Sequence, residues 1–271
     1  MFMKLTVASS VLVGSAAAFS FQGPARHGTV QRLAQPAMAL SAPLTDDIWT
    51  IAPKARVEGN TLKTWDIGEE STERVQLSIR SDGRPINSNI ELWHTPAYIP
   101  TKFKVYTEDG RSRPVHAVIE TPKHPKTVAV FNKGAMEFPF EANVAKTGLG
   151  TAYDSLSDVE PELVQGGKIT SYTFGAEVES IQVLLKTDER NMKAKIELTQ
   201  GPNQIKQVIE LYASVGYKNP FYMVIQTPGN NNALRVINEN SVEFPFNAWV
   251  LPYEVSDGSD MQPIMGGGGW A

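Results

Sequence analysis

Cysteine is absent from the 271 residues of this chain. Its absence excludes disulfide frameworks, thiolate nucleophiles and cysteine metal sites, and it is typical of proteins in a reducing compartment. Positive charge is also scarce, because the formal net charge is −4, and a nucleic-acid-binding protein would carry a basic surface. The apolar run Leu5–Ala18 is too short for a permanent membrane span. We therefore expect neither nucleic-acid binding nor a membrane span.

The N-terminal residues have the composition of targeting signals. Lys4 precedes the apolar run, which ends in three alanines, and this predicts a signal peptide at residues 1–18. Residues 19–44 contain Arg26 and Arg32 but no Asp or Glu, which is typical of a plastid transit peptide. The two signals in series resemble the bipartite plastid presequence of algae with secondary plastids, such as diatoms. A lone signal peptide on a secreted protein is the alternative.

The remaining chain contains an internal duplication. Residues 75–144 align without a gap with residues 181–250, at a constant offset of 106 positions, and about a third of the aligned residues are identical. Such self-similarity is the signature of a repeated structural unit. In the first copy Val75, Leu77 and Ile79 alternate with polar residues, which predicts a strand with one buried and one solvent-exposed face.

Short strand patterns separated by glycine and proline turns continue through both copies, and helical periodicity is not sustained. This pattern predicts an all-β fold of two tandem, homologous, sandwich-like domains with extended terminal segments. The predicted segments are an N-terminal extension at 45–63, copy 1 at 64–146, a polar linker at 147–170, copy 2 at 171–252 and a glycine-rich tail at 253–271.

Two features indicate contacts with other molecules. Each copy closes with Glu-Phe-Pro-Phe, and because proline cannot donate to a strand ladder, we expect this element on an edge strand or bulge. It is either an aromatic plug for one end of the core or a blunted edge that binds a specific neighbour. The tail carries a tryptophan beyond four glycines, either as disordered chain or as a tethered anchor. The candidate assembly residues are Phe138, Pro139, Phe140, Phe244, Pro245, Phe246, Met265 and Trp270.

Catalytic and ligand-binding patterns are weak in this sequence. His94, His116 and His124 correspond to Gln200, Tyr222 and Asn230 in the second copy, so no histidine is duplicated. We therefore predict no enzyme, no catalytic residue, no cofactor and no metal site, and solvated or hydrogen-bonded histidines are favoured over metal ligands. Aromatic residues such as Trp93 and Tyr98, which lie beside a turn, leave a non-catalytic carbohydrate-binding protein as the alternative function, and a hydrolase with an unrecognised site as a third.

The bipartite presequence, the paired Glu-Phe-Pro-Phe elements at 137–140 and 243–246, and the Gly-Trp tail together resemble the pyrenoid shell proteins of diatoms and related algae. The resemblance covers roughly residues 48–271. It implies a structural protein that self-assembles into a sheet around the Rubisco matrix, at the pyrenoid periphery in the plastid stroma, and supports CO2 concentration and fixation. The implied partners are further copies of the chain, with the Rubisco matrix and other shell paralogues as additional candidates.

Overall fold

A computed structural model describes residues 48–49, 52–94, 98–146, 156, 159–202 and 204–256 of the chain. The regular structure of this part consists of sixteen β-strands, so the predicted all-β class is confirmed. The predicted signal peptide, the transit peptide and residues 257–271 of the tail lie outside the described residues.

The strands follow the same order in both copies. The first copy contributes β1 (Ala55–Val57), β2 (Leu62–Asp66), β3 (Arg74–Arg80), β4 (Ile86–His94), β5 (Tyr98–Thr107), β6 (Val115–Glu120), β7 (Thr127–Asn132) and β8 (Phe140–Ala145). The second copy contributes β9 (Glu162–Val164), β10 (Ile169–Thr173), β11 (Val178–Lys186), β12 (Met192–Gln200), β13 (Ile205–Ala213), β14 (Phe221–Gln226), β15 (Asn232–Asn238) and β16 (Phe246–Val255).

Both sheets contain strands from both copies. Sheet A has the order β1-β8-β3-β6-β14-β11-β16-β9, and sheet B has the order β10-β15-β12-β13-β5-β4-β7-β2. The copies join where β6 pairs antiparallel with β14 and where β5 pairs antiparallel with β13. The separation into two tandem domains is therefore not confirmed, because strand pairing continues from one copy into the other in each sheet.

A pseudo-two-fold axis relates the two copies. Lys104 pairs with Glu210 across the β5–β13 junction, and Ala117 pairs with Met223 across the β6–β14 junction. Each pair joins equivalent positions of the duplication, so the axis passes through both. The Lys104 Nζ lies 3.0 Å from a carboxylate oxygen of Glu210. Two identical copies would place like charges opposite each other here, and like charges directly opposite destabilise a sheet.

One hydrophobic core lies between the two sheets and extends through both copies. Its residues are the inward-facing ones along each strand. Examples are Ile90, Val105 and Ile196, which are at most 1% exposed. Phe103 of sheet B and Phe221 of sheet A meet edge to face, with ring centroids 5.3 Å apart. The pair joins the two sheets and the two copies at once, so neither copy buries its apolar residues alone.

The outer face of sheet A is more buried than the sequence predicts. The alternation in β3 predicts a solvent-exposed face containing Gln76 and Ser78, but both residues are buried. Asn143 Nδ2 donates to the Ile48 carbonyl oxygen at 2.8 Å, and Trp249 Nε1 donates to the Val159 carbonyl oxygen at 2.6 Å. The segments predicted as the N-terminal extension and the linker therefore contact this face.

Two further differences concern short elements. Strand β1 lies within the predicted N-terminal extension and β9 within the predicted linker, because three-residue strands are too short to show alternation. Of the Glu-Phe-Pro-Phe element at 137–140, only Phe140 belongs to a strand, since the residues before it form a turn. The remaining segment boundaries stay predictions.

Gly59 and Gly166 occupy equivalent positions after β1 and β9, where a side chain has no room. A Cβ atom at Gly59 would overlap the Ala135 carbonyl oxygen, and one at Gly166 would overlap the Ser241 carbonyl oxygen. We expect Gly59→Ala to lower the free energy of unfolding by about 1–3 kcal/mol, as overpacking does. Gly68→Ala is the matched control, because no atom lies within 4 Å of its Cβ position. Urea denaturation checks both, and equal midpoints for the two variants would refute the close approach.

Candidate assembly surfaces

The Phe-Pro-Phe elements lie at the start of β8 and β16. Phe140 and Phe246 are 3% and 2% exposed and belong to the core, whereas Phe138 and Pro139 are half-buried in the turn before β8. Strand β8 lies between β1 and β3, and β16 lies between β11 and β9. The predicted edge-strand position is therefore wrong, and the proline is tolerated because it precedes the ladder.

An arginine braces each of these turns. The Arg84 guanidinium lies 5.8 Å from the Phe138 ring centroid, and its Nη1 donates to the Glu137 carbonyl oxygen at 3.3 Å. Arg190 repeats the arrangement over the Phe244 ring at 5.4 Å and donates to the Glu243 carbonyl oxygen. This brace was not predicted from the sequence, although an arginine occupies both equivalent positions, 84 and 190.

The predicted assembly residues separate into three groups. Phe140 and Phe246 are buried and belong to the core. Phe138, Phe244 and the two prolines keep partial exposure next to their arginines. Met265 and Trp270 lie outside the described residues.

A groove of about 630 Å³ lies beside the first Phe-Pro-Phe turn. Five cationic side chains line it, with the Trp49 ring and the acidic residues Asp82 and Glu141; the cations are Lys54, Arg56, Arg80, Arg84 and Arg111. Positive charge therefore concentrates in this groove, although the net charge of the whole chain is negative.

Glu141 forms ion pairs with two of the groove cations. It accepts a hydrogen bond from Lys54 Nζ at 2.8 Å and two from the Arg80 guanidinium at 3.1 and 3.2 Å. These bonds, that from Lys54 first, hold the pKa of Glu141 below its ordinary value despite its partial burial. The Arg80 guanidinium also stacks 4.0 Å from the Trp49 ring centroid. This part of the groove is fixed in place, because bidentate and stacked arginines have little conformational freedom.

One serine and one histidine form a buried pair below the groove. Ser78 Oγ and His116 Nδ1 are 2.7 Å apart, and the two residues are 2% and 5% exposed. Burial lowers the pKa of His116 to about 4, so the imidazole is neutral at physiological pH. Leu184 and Tyr222 occupy the equivalent positions in the second copy, so the pair is unique to the first copy.

The described residues can be compared with two kinds of ligand site, one for a metal ion and one for a sugar. That part of the chain contains no group of three or more His, Cys, Asp or Glu side chains arranged to hold a metal ion. Within the same described residues, no helix is long and apolar enough to cross a membrane. Trp93 Nε1 donates to Glu91 at 2.8 Å, and the Tyr98 hydroxyl bonds Ser214 Oγ at 2.8 Å. Both aromatic residues considered for sugar stacking are thus engaged by their own chain.

Comparison with known protein families matches residues 49–252 to the family described as diatom pyrenoid shell protein. The chain belongs to this family. A pyrenoid shell protein has a structural role in the diatom pyrenoid, inside the plastid, which confirms the resemblance drawn from the sequence at that level. A comparison with curated proteins gives no match.

The extent of the family match agrees with the fold. It begins at Trp49, which stacks on Arg80, and ends at Pro252 in β16. The family unit of this pyrenoid shell protein is therefore the whole sandwich of two copies rather than one copy of the duplication.

Proposed function

We propose that this pyrenoid shell protein self-assembles into a sheet-like shell around the Rubisco matrix, at the pyrenoid periphery in the plastid stroma. Such a shell limits the escape of CO2 and supports its concentration and fixation. The observation that carries the proposal is the fusion of two copies into one sandwich whose core positions match and whose surface positions differ. The proposed partner is the chain itself, with the Rubisco matrix and shell paralogues on its faces.

The two copies differ mainly at surface positions, which are the positions available for contacts with neighbouring subunits. Core positions keep their character, as in Ile90 and Ile196, whereas Arg111 corresponds to Tyr217 and Glu141 to Asn247 on the surface. Two related but unequal surfaces on one chain favour heterologous contacts, in which different patches of neighbouring subunits meet. Heterologous contacts that do not close into a ring propagate into open assemblies. The two unequal surfaces therefore favour a subunit of an open, sheet-like assembly over a closed oligomer.

Assembly itself is tested with the purified chain from Thr45 to Ala271. We expect concentration-dependent light scattering and sheets in electron micrographs, and a fluorescent fusion in a diatom should mark the rim of the pyrenoid. A chain that stays monomeric at all salt and protein concentrations would overturn the proposal.

The tail supplies a narrower prediction. Deleting Met261–Ala271 should raise the protein concentration needed for sheets by roughly thirtyfold, because a tryptophan anchor contributes about 2 kcal/mol to a contact. Urea denaturation should show both copies still folded, since the last strand ends at Val255. Replacing Gly266–Gly269 by serines is the control, as it keeps the tail length and Trp270, and this variant should assemble normally. Unchanged assembly of the deletion variant would exclude the tail as an anchor.

A further inference from the structure

Two arginines in the groove have no carboxylate partner among the described residues. Arg84 and Arg111 are both exposed, and neither forms an ion pair with any described residue; Arg84 reaches only the Glu137 carbonyl oxygen and the Phe138 ring. Arginine presents a planar set of donors that matches a carboxylate in bidentate geometry. The groove therefore offers two free carboxylate sites on a surface already ordered around Glu141.

A complementary set of charges lies at the opposite end of the same strand. Arg80, at the end of β3, lines the groove, whereas the turn Glu69–Glu73 precedes the start of β3. Seven residues of β-strand separate these ends by about 20 Å. Glu70 and Glu73 are exposed, and neither carboxylate forms an ion pair with a described residue. Glu69 lies 3.4 Å from Lys146.

The acidic turn is held rigidly by its own chain. Lys126, which is 1% exposed, donates from Nζ to the carbonyl oxygens of Glu70 and Thr121 at 3.1 Å and to that of Thr72. Thr121 N donates to the Glu73 carbonyl oxygen at 2.6 Å. The backbone of the turn is thus ordered before binding, and preorganisation lowers the entropic cost of binding.

The pseudo-two-fold symmetry doubles this match. In the second copy Glu177 and Glu179 lie at the start of β11, and Lys186 lies at its end. Strand β11 runs opposite to β3 in sheet A, and Gln226, which lines the groove, pairs with Ser180. The second-copy acidic end is therefore beside the first-copy groove. If a second molecule is translated along the strand direction, its Glu69–Glu73 turn faces the groove of the first molecule. Its Lys186 end then faces Glu177 and Glu179 of the first molecule, so opposite charges meet in both copies.

We propose that the groove binds the Glu69–Glu73 turn of a second copy of this chain, related by translation along the strand direction. The inference rests on the proposed self-assembly and names one of its contacts. Because the two surfaces lie at opposite ends of the molecule, each bound copy leaves a free groove and a free turn. The contact is heterologous and extends a row of subunits indefinitely.

Charge reversal in the full chain tests the contact. We expect Arg84→Glu/Arg111→Glu and Glu70→Lys/Glu73→Lys each to raise the critical concentration for assembly at least about tenfold, since like charges across an interface are strongly unfavourable. An equimolar mixture of the two variants should recover assembly as alternating rows, because the lysine turn of one variant matches the glutamate groove of the other, and the unchanged glutamate turn and arginine groove still match. A chain carrying all four substitutions should assemble like the wild type.

The controls separate this inference from the proposed function. Lys63→Glu/Lys193→Glu makes the same change in net charge as the groove variant at exposed positions away from it, and it should assemble normally. Added salt should weaken wild-type assembly, because screening acts on exposed charges. If the wild type assembles and both reversal variants assemble equally well, the contact is wrong while the shell function stands. A wild type that never assembles overturns the proposed function instead.

Discussion

Replacing Phe221 by alanine should lower the free energy of unfolding by about 3–5 kcal/mol, as removal of a buried phenylalanine does. The side chain is 1% exposed and meets Phe103 edge to face at 5.3 Å. An aromatic pair of this geometry adds about 0.5–1.5 kcal/mol to the apolar burial. The loss should affect both copies, since Phe221 belongs to the second copy and its partner to the first.

Urea denaturation provides the measurement, with tryptophan fluorescence and far-ultraviolet circular dichroism as two probes. Trp65 and Trp93 report on the first copy and Trp249 on the second. We expect both probes to show one coincident transition, shifted to lower urea in the variant, because a shared core unfolds as a unit. Met136→Ala, at a side chain that is 83% exposed, is the control and should change little. Separate transitions for the two copies would contradict the shared core.

The sequence predicted the strands but not how the copies join. Alternation and turn residues placed most strands within a few residues, because a half-buried strand leaves a period of two in its own sequence. The pairing of Lys104 with Glu210 produces no comparable periodic pattern in the sequence. Equivalent positions in a duplication are visible from sequence, but their contact depends on two distant segments meeting. Two separate domains were the simpler interpretation of the same pattern.

The candidate surfaces show the same limit. Phe138 and Phe140 were singled out correctly as a repeated element, yet their different burial follows from a turn that ends between them. The groove was not predicted, because its walls come from segments far apart in the chain: those around Trp49, Arg80, Arg111 and Glu141. In the sequence alone, Glu70 and Glu73 indicate only a solvated acidic turn. Their significance depends on the opposite end of β3.

Acidification should destabilise the chain through His116. The pKa of His116 is lowered from 6.5 to about 4 because the imidazole is buried. Between these values the unfolded chain binds the proton and the folded chain does not, so stability is fully present above pH 6.5 and is lost as the pH falls toward 4. The loss amounts to about 3 kcal/mol by proton linkage. The expected direction follows from burial, which disfavours the charged form of a histidine.

His116→Gln isolates this contribution from that of the carboxylates. Glutamine stays neutral throughout, and its amide can bond Ser78 in place of the imidazole. Urea denaturation at pH 7 and at pH 4.5 should show a smaller loss of stability in the variant than in the wild type. His124→Gln, at an exposed position, should lose as much as the wild type. Equal losses in all three proteins would contradict this prediction. They would mean that the His116 imidazole titrates alike in the folded and unfolded chains, so that its burial would contribute nothing to the pH dependence of stability.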